Sequence, residues 1–290
     1  MNQIIKKALL LTTPFLLMLG CHATTSRTIP DLPRRASVKI ETGAAVTFCD
    51  ESGTRCDTAR MMTGSGSGVV ISHHKNSTFS MTAGHVCDFG YERPPLPTLG
   101  GPVEIIAFAA SIGIQLEFIP ATVSSSWLVF VMDTDFNRHY AIPTSVISPR
   151  DSIGSGTTVD LCLLVSQRID VSPARLATRT PESGDRIYNI ASPYGTFFQG
   201  EGGMLYEGIL TSPQGMNGSS VFSIPAAPGS SGSPIFNSEG EIIGIVSAVH
   251  RMVPNQTIGA SIRQIKCFLH NSFNSAEMPQ AAPRGVNCDD

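Results

Sequence analysis

Between Ser37 and Leu269 the chain is a succession of short runs rich in Val, Ile, Phe, Tyr and Thr, each closed by Gly, Pro, Asn or Asp. "SVKIET", "GVVIS", "STFSMTAG", "VEIIAFAA", "WLVFVMD", "DLCLLVS", "RIYNIAS", "YEGILTS", "SPIFN" and "EIIGIVSAV" are the clearest of them. β-Branched and aromatic residues suit a pleated, half-buried surface, and the small or polar clusters supply the turns. Sustained helical periodicity is scarce, and its best instance is "IRQIKCFLH", Ile262 to His270. The pattern predicts an all-β barrel or sandwich, arranged as two similar subdomains, with a short C-terminal helix. Apolar residues make up 41% of the chain and charged ones 15%, which excludes a disordered polypeptide. A formal charge of −3 with no basic stripe excludes a nucleic-acid binder.

The first residues read as an address rather than as part of the fold. Lys6 and Lys7 precede an apolar stretch from Ala8 to Gly20, interrupted by Pro14 and well short of the roughly 20 residues needed to span a bilayer. Two cleavage readings compete. Cys21-His22-Ala23 has the small ends of a general signal-peptidase site, whereas "LMLGC" resembles a lipoprotein box with cleavage before Cys21 and lipid on its sulfur. Either way the protein is expected to leave the cytoplasm for the cell envelope or beyond, and to touch a membrane only through such a lipid.

Export permits disulfides. Of seven cysteines, setting Cys21 aside leaves Cys49, Cys56, Cys87, Cys162, Cys267 and Cys288. Cys49 and Cys56 flank a turn-like "DESGTR", the best single pairing; Cys87 and Cys162 are either a bridge or two buried thiols. No CxxC or HxxxH partner set appears, so no metal is expected.

Three residues carry chemistry. His85 follows a strand in "SMTAGHVC", Asp160 opens an apolar strand in "TVDLCLLVS", and Ser231 lies in "PGSSGSP". His, Asp, Ser is the chain order of the chymotrypsin-type triad, while an α/β-hydrolase would run Ser, Asp, His and carry G-x-S-x-G, which is absent. Asp133 and Asp135 in "VMDTDFNRHY" are rival acids, but they flank a turn and read as hairpin-shaping. His73 and His74 sit at a hairpin tip and read as solvated.

With these motifs in order, the chain resembles the trypsin-like serine peptidases, in particular the protease domain of the bacterial high-temperature-requirement proteases. "GSGSGVVIS", "TAGHV", "DLCLL", "SGDRIYNIASPYG", "YEGILTS", "APGSSGSPIFNSEGEIIGIVSA" and "TIGASI" carry the resemblance through most of the body. It implies two six-stranded antiparallel Greek-key β-barrels with the site between them. The implied domains are a signal segment 1–23, a linker 24–36, a first barrel 37–172 with His85 and Asp160, a second barrel 173–270 with Ser231, and a tail 271–290. The peptide-binding domain that many such proteases carry after the second barrel is not expected here.

The resemblance also implies roles. Ser231 attacks the scissile carbonyl, His85 takes and returns its proton, and Asp160 fixes the imidazole tautomer. The N–H groups of Gly229 and Ser231 form the oxyanion hole, and Gly229 permits the backbone angles this requires. Ser230, the adjacent rival nucleophile, stands where the family usually has Asp or Asn and reads as loop support. Pro225, Ser247, Ala248 and Val249 line the primary specificity pocket, which lacks an acid and is narrowed by Val249. Cleavage after small aliphatic residues is therefore expected. No cofactor is implied, since acyl transfer by a triad needs none. The partners are peptide or protein substrates. The alternatives are a triad-bearing surface protein that binds peptides without cutting them, and an esterase using the same groups.

Overall fold

The computed structural model describes residues 29–88, 101–148, 159–215, 218–250, 253–275 and 288. Asp31–Asp290 forms one compact unit. Its first half contributes β1 (Ser37–Cys49), β2 (Cys56–His74), β3 (Ser77–Thr82), β4 (Thr122–Met132), β5 (Arg138–Ile147) and β6 (Leu161–Gln167), closed into an antiparallel barrel in the order β1-β2-β3-β6-β5-β4. The second half contributes β7 (Arg186–Ala191), β8 (Met204–Ser212), β9 (Ser220–Phe222), β10 (Pro234–Phe236), β11 (Ile242–Val249) and β12 (Thr257–Ser261), closed as β10-β11-β12-β9-β8-β7. This is the double barrel that the strand pattern and the resemblance lead one to expect. Closure leaves neither sheet with a free edge.

Each barrel has its own interior. Val38, Ile40, Val70, Val131 and Leu164 fill the first, and Ile187, Leu210, Phe222, Ile235 and Ile243 the second. A third cluster joins them: Val69, Phe79, Met81 and Leu161 meet Tyr188, Ile190, Phe236 and Ile245. The chain crosses from barrel to barrel at Ala174, whose N–H donates to Val70 O, and Arg175, whose carbonyl accepts from Ile242. The C-terminal helix α3 (Ile262–Ser275) packs Ile265, Phe268, Leu269 and Phe273 onto this seam, with Phe273 edge-on to Phe79 at 5.2 Å. Burying such apolar area at the seam holds the barrels, and therefore the residues between them, in one register.

Several sequence expectations need correcting. Val103–Ala110, expected as a strand, lies in helix α2 (Pro102–Ser111). Pro102 at its first position, Ile105, Phe108, Ala109 and Ile112 at helical spacing, and Gly113 at φ +81 just beyond its end are helix signals that the β-rich composition concealed. The Ile114 N–H reaches back to Ala109 O at 2.9 Å and that of Gly113 to Ala110 O at 3.1 Å, a Schellman stop. Ile105 and Ala109 cover Val46 and Phe48 at one end of the first barrel. Helix α3 runs past His270 to Ser275, so the tail starts later than residue 271. Leu32 and Ala36, assigned to the linker, are buried in the seam cluster. Strand β5 was not among the expected runs because Pro143 interrupts it; the register shifts between Pro143 and Ser145, and a bulge is where a sheet tolerates proline.

Disulfides join Cys49 to Cys56 across the β1–β2 hairpin, Cys87 to Cys162, and Cys267 to Cys288. The last ties residue 288 to α3. Cys21 and the N-terminal address lie outside the described residues.

Candidate active site

His85 sits in the single-turn helix α1 (Gly84–Cys87), immediately after β3, and Asp160 immediately before β6, the strand paired with β3. Neighbouring strands thus present the two side chains together. The His85 Nδ1–H donates to Asp160 Oδ2 at 2.7 Å and the His85 backbone N–H to Oδ1 at 2.8 Å. Asp160 is 1% exposed, so its charge is stabilised by these donors rather than by water. Gly84 makes the approach possible: a Cβ there would lie 2.0 Å from Ile147 O and 3.0 Å from Asp160 Oδ1. The Cys87–Cys162 bridge links the residues two places beyond each partner and clamps α1 to β6. The pairing holds the His85 pKa above its usual 6.5: the Asp160 hydrogen bond raises it, burial opposes, and the charges of Asp160 and Asp88 add to the rise.

Ser231 comes from the other barrel, on the turn ahead of β10. It lines one cleft of about 430 Å³ with His85, Val86, Asp88, Gly229 and Trp127. Ser230 is 1% exposed, and its hydroxyl accepts the Ala227 N–H at 3.2 Å, the loop-supporting place expected of it. Ser231 is the accessible serine of the pair.

The turn around Ser231 is bound from behind. Pro228 O accepts the Tyr194 N–H at 2.6 Å and Ser230 O accepts the Ser233 N–H at 3.0 Å. In a trans peptide the carbonyl and the following N–H point to opposite sides, so both bonds turn the Gly229 and Ser231 N–H groups the other way. Neither N–H has a partner among the described residues. Gly229 has φ +94, and a Cβ there would lie 2.5 Å from Ser192 O. Gly232 has φ +85, and a Cβ there would meet Thr82 Oγ1 at 2.0 Å and Ser67 O at 2.2 Å. Only glycine fits either place.

One residue bracing the site, Ser67, was not singled out in the sequence. Ser67, in β2 of the first barrel and 1% exposed, donates its hydroxyl to Gly229 O at 2.8 Å and accepts the Ser192 N–H at 2.8 Å. Its own N–H donates to Ser231 O at 2.8 Å, so one first-barrel residue braces the Ser231 turn twice and the end of β7 once. The repeated Gly-Ser of "GSGSG" was its only trace in the sequence. Ser247, expected to line the specificity pocket, donates its hydroxyl to Asp160 Oδ2 and completes the carboxylate's shell. Ser247 and Ala248 do not line the neighbouring cavity of about 210 Å³, whereas Pro225 and Val249 do, with Ile224, Ala226, His250 and Val253. Among its described lining residues there is no carboxylate.

The rivals are accounted for. Asp133 accepts from the N–H groups of Asp135 and Asn137 and from His139 Nε2 at 2.9 Å, which pins the β4–β5 turn; burial would raise its pKa, but these bonds lower it. Asp135 pairs with Arg35 at 3.0 Å. His73 is not simply solvated, since its ring bonds Val171 O at 2.7 Å and Thr78 at 3.0 Å.

Fold and site together define a two-barrel protein in which a His–Asp pair and an accessible serine border one cleft. The trypsin-like peptidase domain family matches residues 66–245, so this chain belongs to that family. No curated protein matches it by sequence. Among solved structures, the serine endoprotease from Yersinia pestis is similar in fold, with a TM-score of 0.55 at 15% identity over 84% of this chain and 65% of that one. The chain therefore spans a little under two thirds of that protein's length.

Proposed function

We propose that the protein is a serine endopeptidase in which Ser231, His85 and Asp160 act as a triad. The observation that carries this reading is the buried Asp160, bonded to both the ring and backbone of His85, beside a cleft that also contains Ser231. Ser231 Oγ adds to the scissile carbonyl while His85 Nε2 takes its proton. The resulting imidazolium is stabilised by Asp160 and protonates the leaving amine as the acyl-enzyme forms. Water then repeats the sequence in reverse order of partners and frees Ser231. The Gly229 and Ser231 N–H groups receive the oxyanion, each such donor being worth about 2.7–4 kcal/mol in the transition state.

The 210 Å³ cavity beside Pro225 and Val249 takes the side chain before the cut. Val249 on its wall and the lack of a described carboxylate favour Ala or Val. Three disulfides suit an oxidising compartment, in keeping with export through the N-terminal segment and with a lipid on Cys21 or free secretion.

The experiment is digestion of a diverse peptide library with the mature protein, cut sites being read by mass spectrometry. Cuts after Ala and Val that disappear in Ser231→Ala are expected. Cuts dominated by Arg, Lys or Phe at that place would overturn the specificity, and turnover of small esters without any peptide cleavage would make the protein an esterase.

A further inference from the structure

The connection from β7 to β8 carries three aromatic side chains close together, Tyr194, Phe197 and Phe198. Tyr194 is 79% exposed and Phe198 47%. Phe136, in the β4–β5 turn of the first barrel, is 46% exposed and meets Phe197 edge-on at 6.2 Å. Tyr194 and Phe136 have φ of +51 and +64, a region that bulky side chains rarely enter. Strained backbone thus holds aromatic surface toward solvent, and both turns are pinned. Phe198 and Gly202 exchange backbone hydrogen bonds at 2.7 and 2.9 Å, and the Gly200 N–H donates to Thr134 O at 2.8 Å, joining one turn to the other. The Tyr194 and Phe198 side chains have no hydrogen-bond or ring partner among the described residues. The charges beside them are already paired, Arg34 with Glu201 at 3.4 Å and Arg35 with Asp135 at 3.0 Å. What is left for a ligand is apolar aromatic surface with a satisfied polar rim, the composition of a recognition surface.

This surface adjoins the cleft. The Tyr194 N–H is held by Pro228 O, and a Cβ on Gly229 would lie 2.9 Å from Tyr194 N. A Cβ on the next residue, Gly195, would lie 3.7 Å from the hydroxyl oxygen of Ser65, which lines the cleft with Thr42 and Thr63. None of the four aromatic residues lines the cavity assigned to the side chain before the cut, which is built from the second barrel alone. The aromatic surface is therefore continuous with the cleft rather than with that cavity, beside the part of a peptide that follows the scissile bond. An extended chain advances about 3.3 Å per residue, so one leaving Ser231 past Ser65 reaches the aromatics within a few residues.

We propose that Tyr194, Phe198 and Phe136 form a shelf that takes an aromatic or large aliphatic side chain from the second to fourth positions after the cut. With every neighbouring charge already paired, the shelf offers a charged side chain no partner, whereas an apolar one gains by covering exposed rings. Which residues follow the cut rests on the peptidase reading, but occupancy of the shelf can be measured without turnover.

The test uses the mature Ser231→Ala protein, which cannot cut its ligand. Dye-labelled peptides with Ala before the cut site carry a single Phe, Ala or Lys at the second, third or fourth position after it, and binding is followed by fluorescence anisotropy. At one of these positions the Phe peptide is expected to bind about tenfold or more tightly than the Ala peptide, the effect of covering one aromatic side chain, while Lys gains nothing. That ratio should fall toward unity in Ser231→Ala/Tyr194→Asn, since Asn accepts the same backbone angles without the ring, and in Ser231→Ala/Phe198→Ser, where the lost side chain is exposed and folding does not depend on it. Equal binding of Phe and Ala peptides at every position, a Phe preference indifferent to both substitutions, or no binding by any peptide would each overturn the proposal. So would a protein that sediments as a dimer, becomes a monomer in Phe198→Ser and shows no Phe preference, because the shelf would then belong to a second copy. A Phe preference in Ser231→Ala, coupled with failure of the protein carrying Ser231 to cleave the same peptides, would instead leave the shelf standing and remove the peptidase reading.

Discussion

Ser67→Ala should separate the bracing of the Ser231 turn from the chemistry it supports. The hydroxyl is buried, bonded at 2.8 Å to both Gly229 O and Ser192 N, and its removal strands one carbonyl and one N–H in the seam. A buried group left without its partner costs about 1–3 kcal/mol, and the deleted hydroxyl's own desolvation is recovered, so the expected net loss is about 2–4 kcal/mol. The damage should also reach the site, because Gly229 O fixes the peptide next to the proposed oxyanion donor. We expect kcat to fall about 10- to 100-fold with KM nearly unchanged, less than deletion of a donor itself. Urea unfolding on a Ser231→Ala background, which prevents self-digestion, gives the stability term. Turnover of an Ala-containing peptide by the single variant gives the kinetic one. Ser80→Ala is the control: that hydroxyl is fully buried with no partner among the described residues, so its loss should move stability by less than about 0.5 kcal/mol or raise it. Ser67→Ala indistinguishable from Ser80→Ala in both readouts would refute the reasoning.

Other expectations follow from the same geometry. The acid limb of kcat/KM should have its midpoint above 6.5, because His85 must be neutral to accept a proton and its partners raise its pKa; Asp88→Asn should move that limb downward in a pH–rate profile. The sign for stability is opposite: His85 ionisation contributes below the unfolded value near 6.5 and is lost as pH rises through the higher folded value, which a comparison with His85→Ala across pH would show. Ser247→Ala removes one of three donors to Asp160 and should lower kcat about tenfold without changing KM, measured in steady state. Replacing both Cys87 and Cys162 by Ser opens a loop of separation 75 and should cost about 4 kcal/mol in urea unfolding. Gly232→Ala should abolish activity and soluble folding alike, since its Cβ would sit 2.0 Å from Thr82 Oγ1.

The two barrels were legible because most strands carry the period-2 β-rich signal and the turn residues punctuate it. The His85–Asp160 pair and Ser231 were legible because short motifs fix them locally, in an order that few folds share. What escaped depends on contacts between distant parts of the chain. Ser67 looks like any serine in a Gly-Ser repeat, and its role exists only because β2 faces the Ser231 turn across the seam. Ser247 was expected at the pocket from the resemblance, but its hydroxyl bond to Asp160 depends on a contact between the barrels that the sequence does not display. Helix α2 was hidden by composition: Val103–Ala110 is apolar and partly β-branched, and only Pro102 and Gly113 betray the helix ends. Asp88 adjoins a motif without belonging to it, so its place in the cleft could be read only from the structure.

The central claim is that Ser231, not its buried neighbour, is a competent nucleophile activated by His85. Labelling the mature protein with a fluorophosphonate and locating the adduct by peptide mass mapping tests it most directly. One adduct is expected on Ser231, lost in Ser231→Ala and strongly slowed in His85→Ala, and retained in folded Ser230→Ala. An adduct on Ser230, or a folded protein that takes no label at any serine, would contradict it.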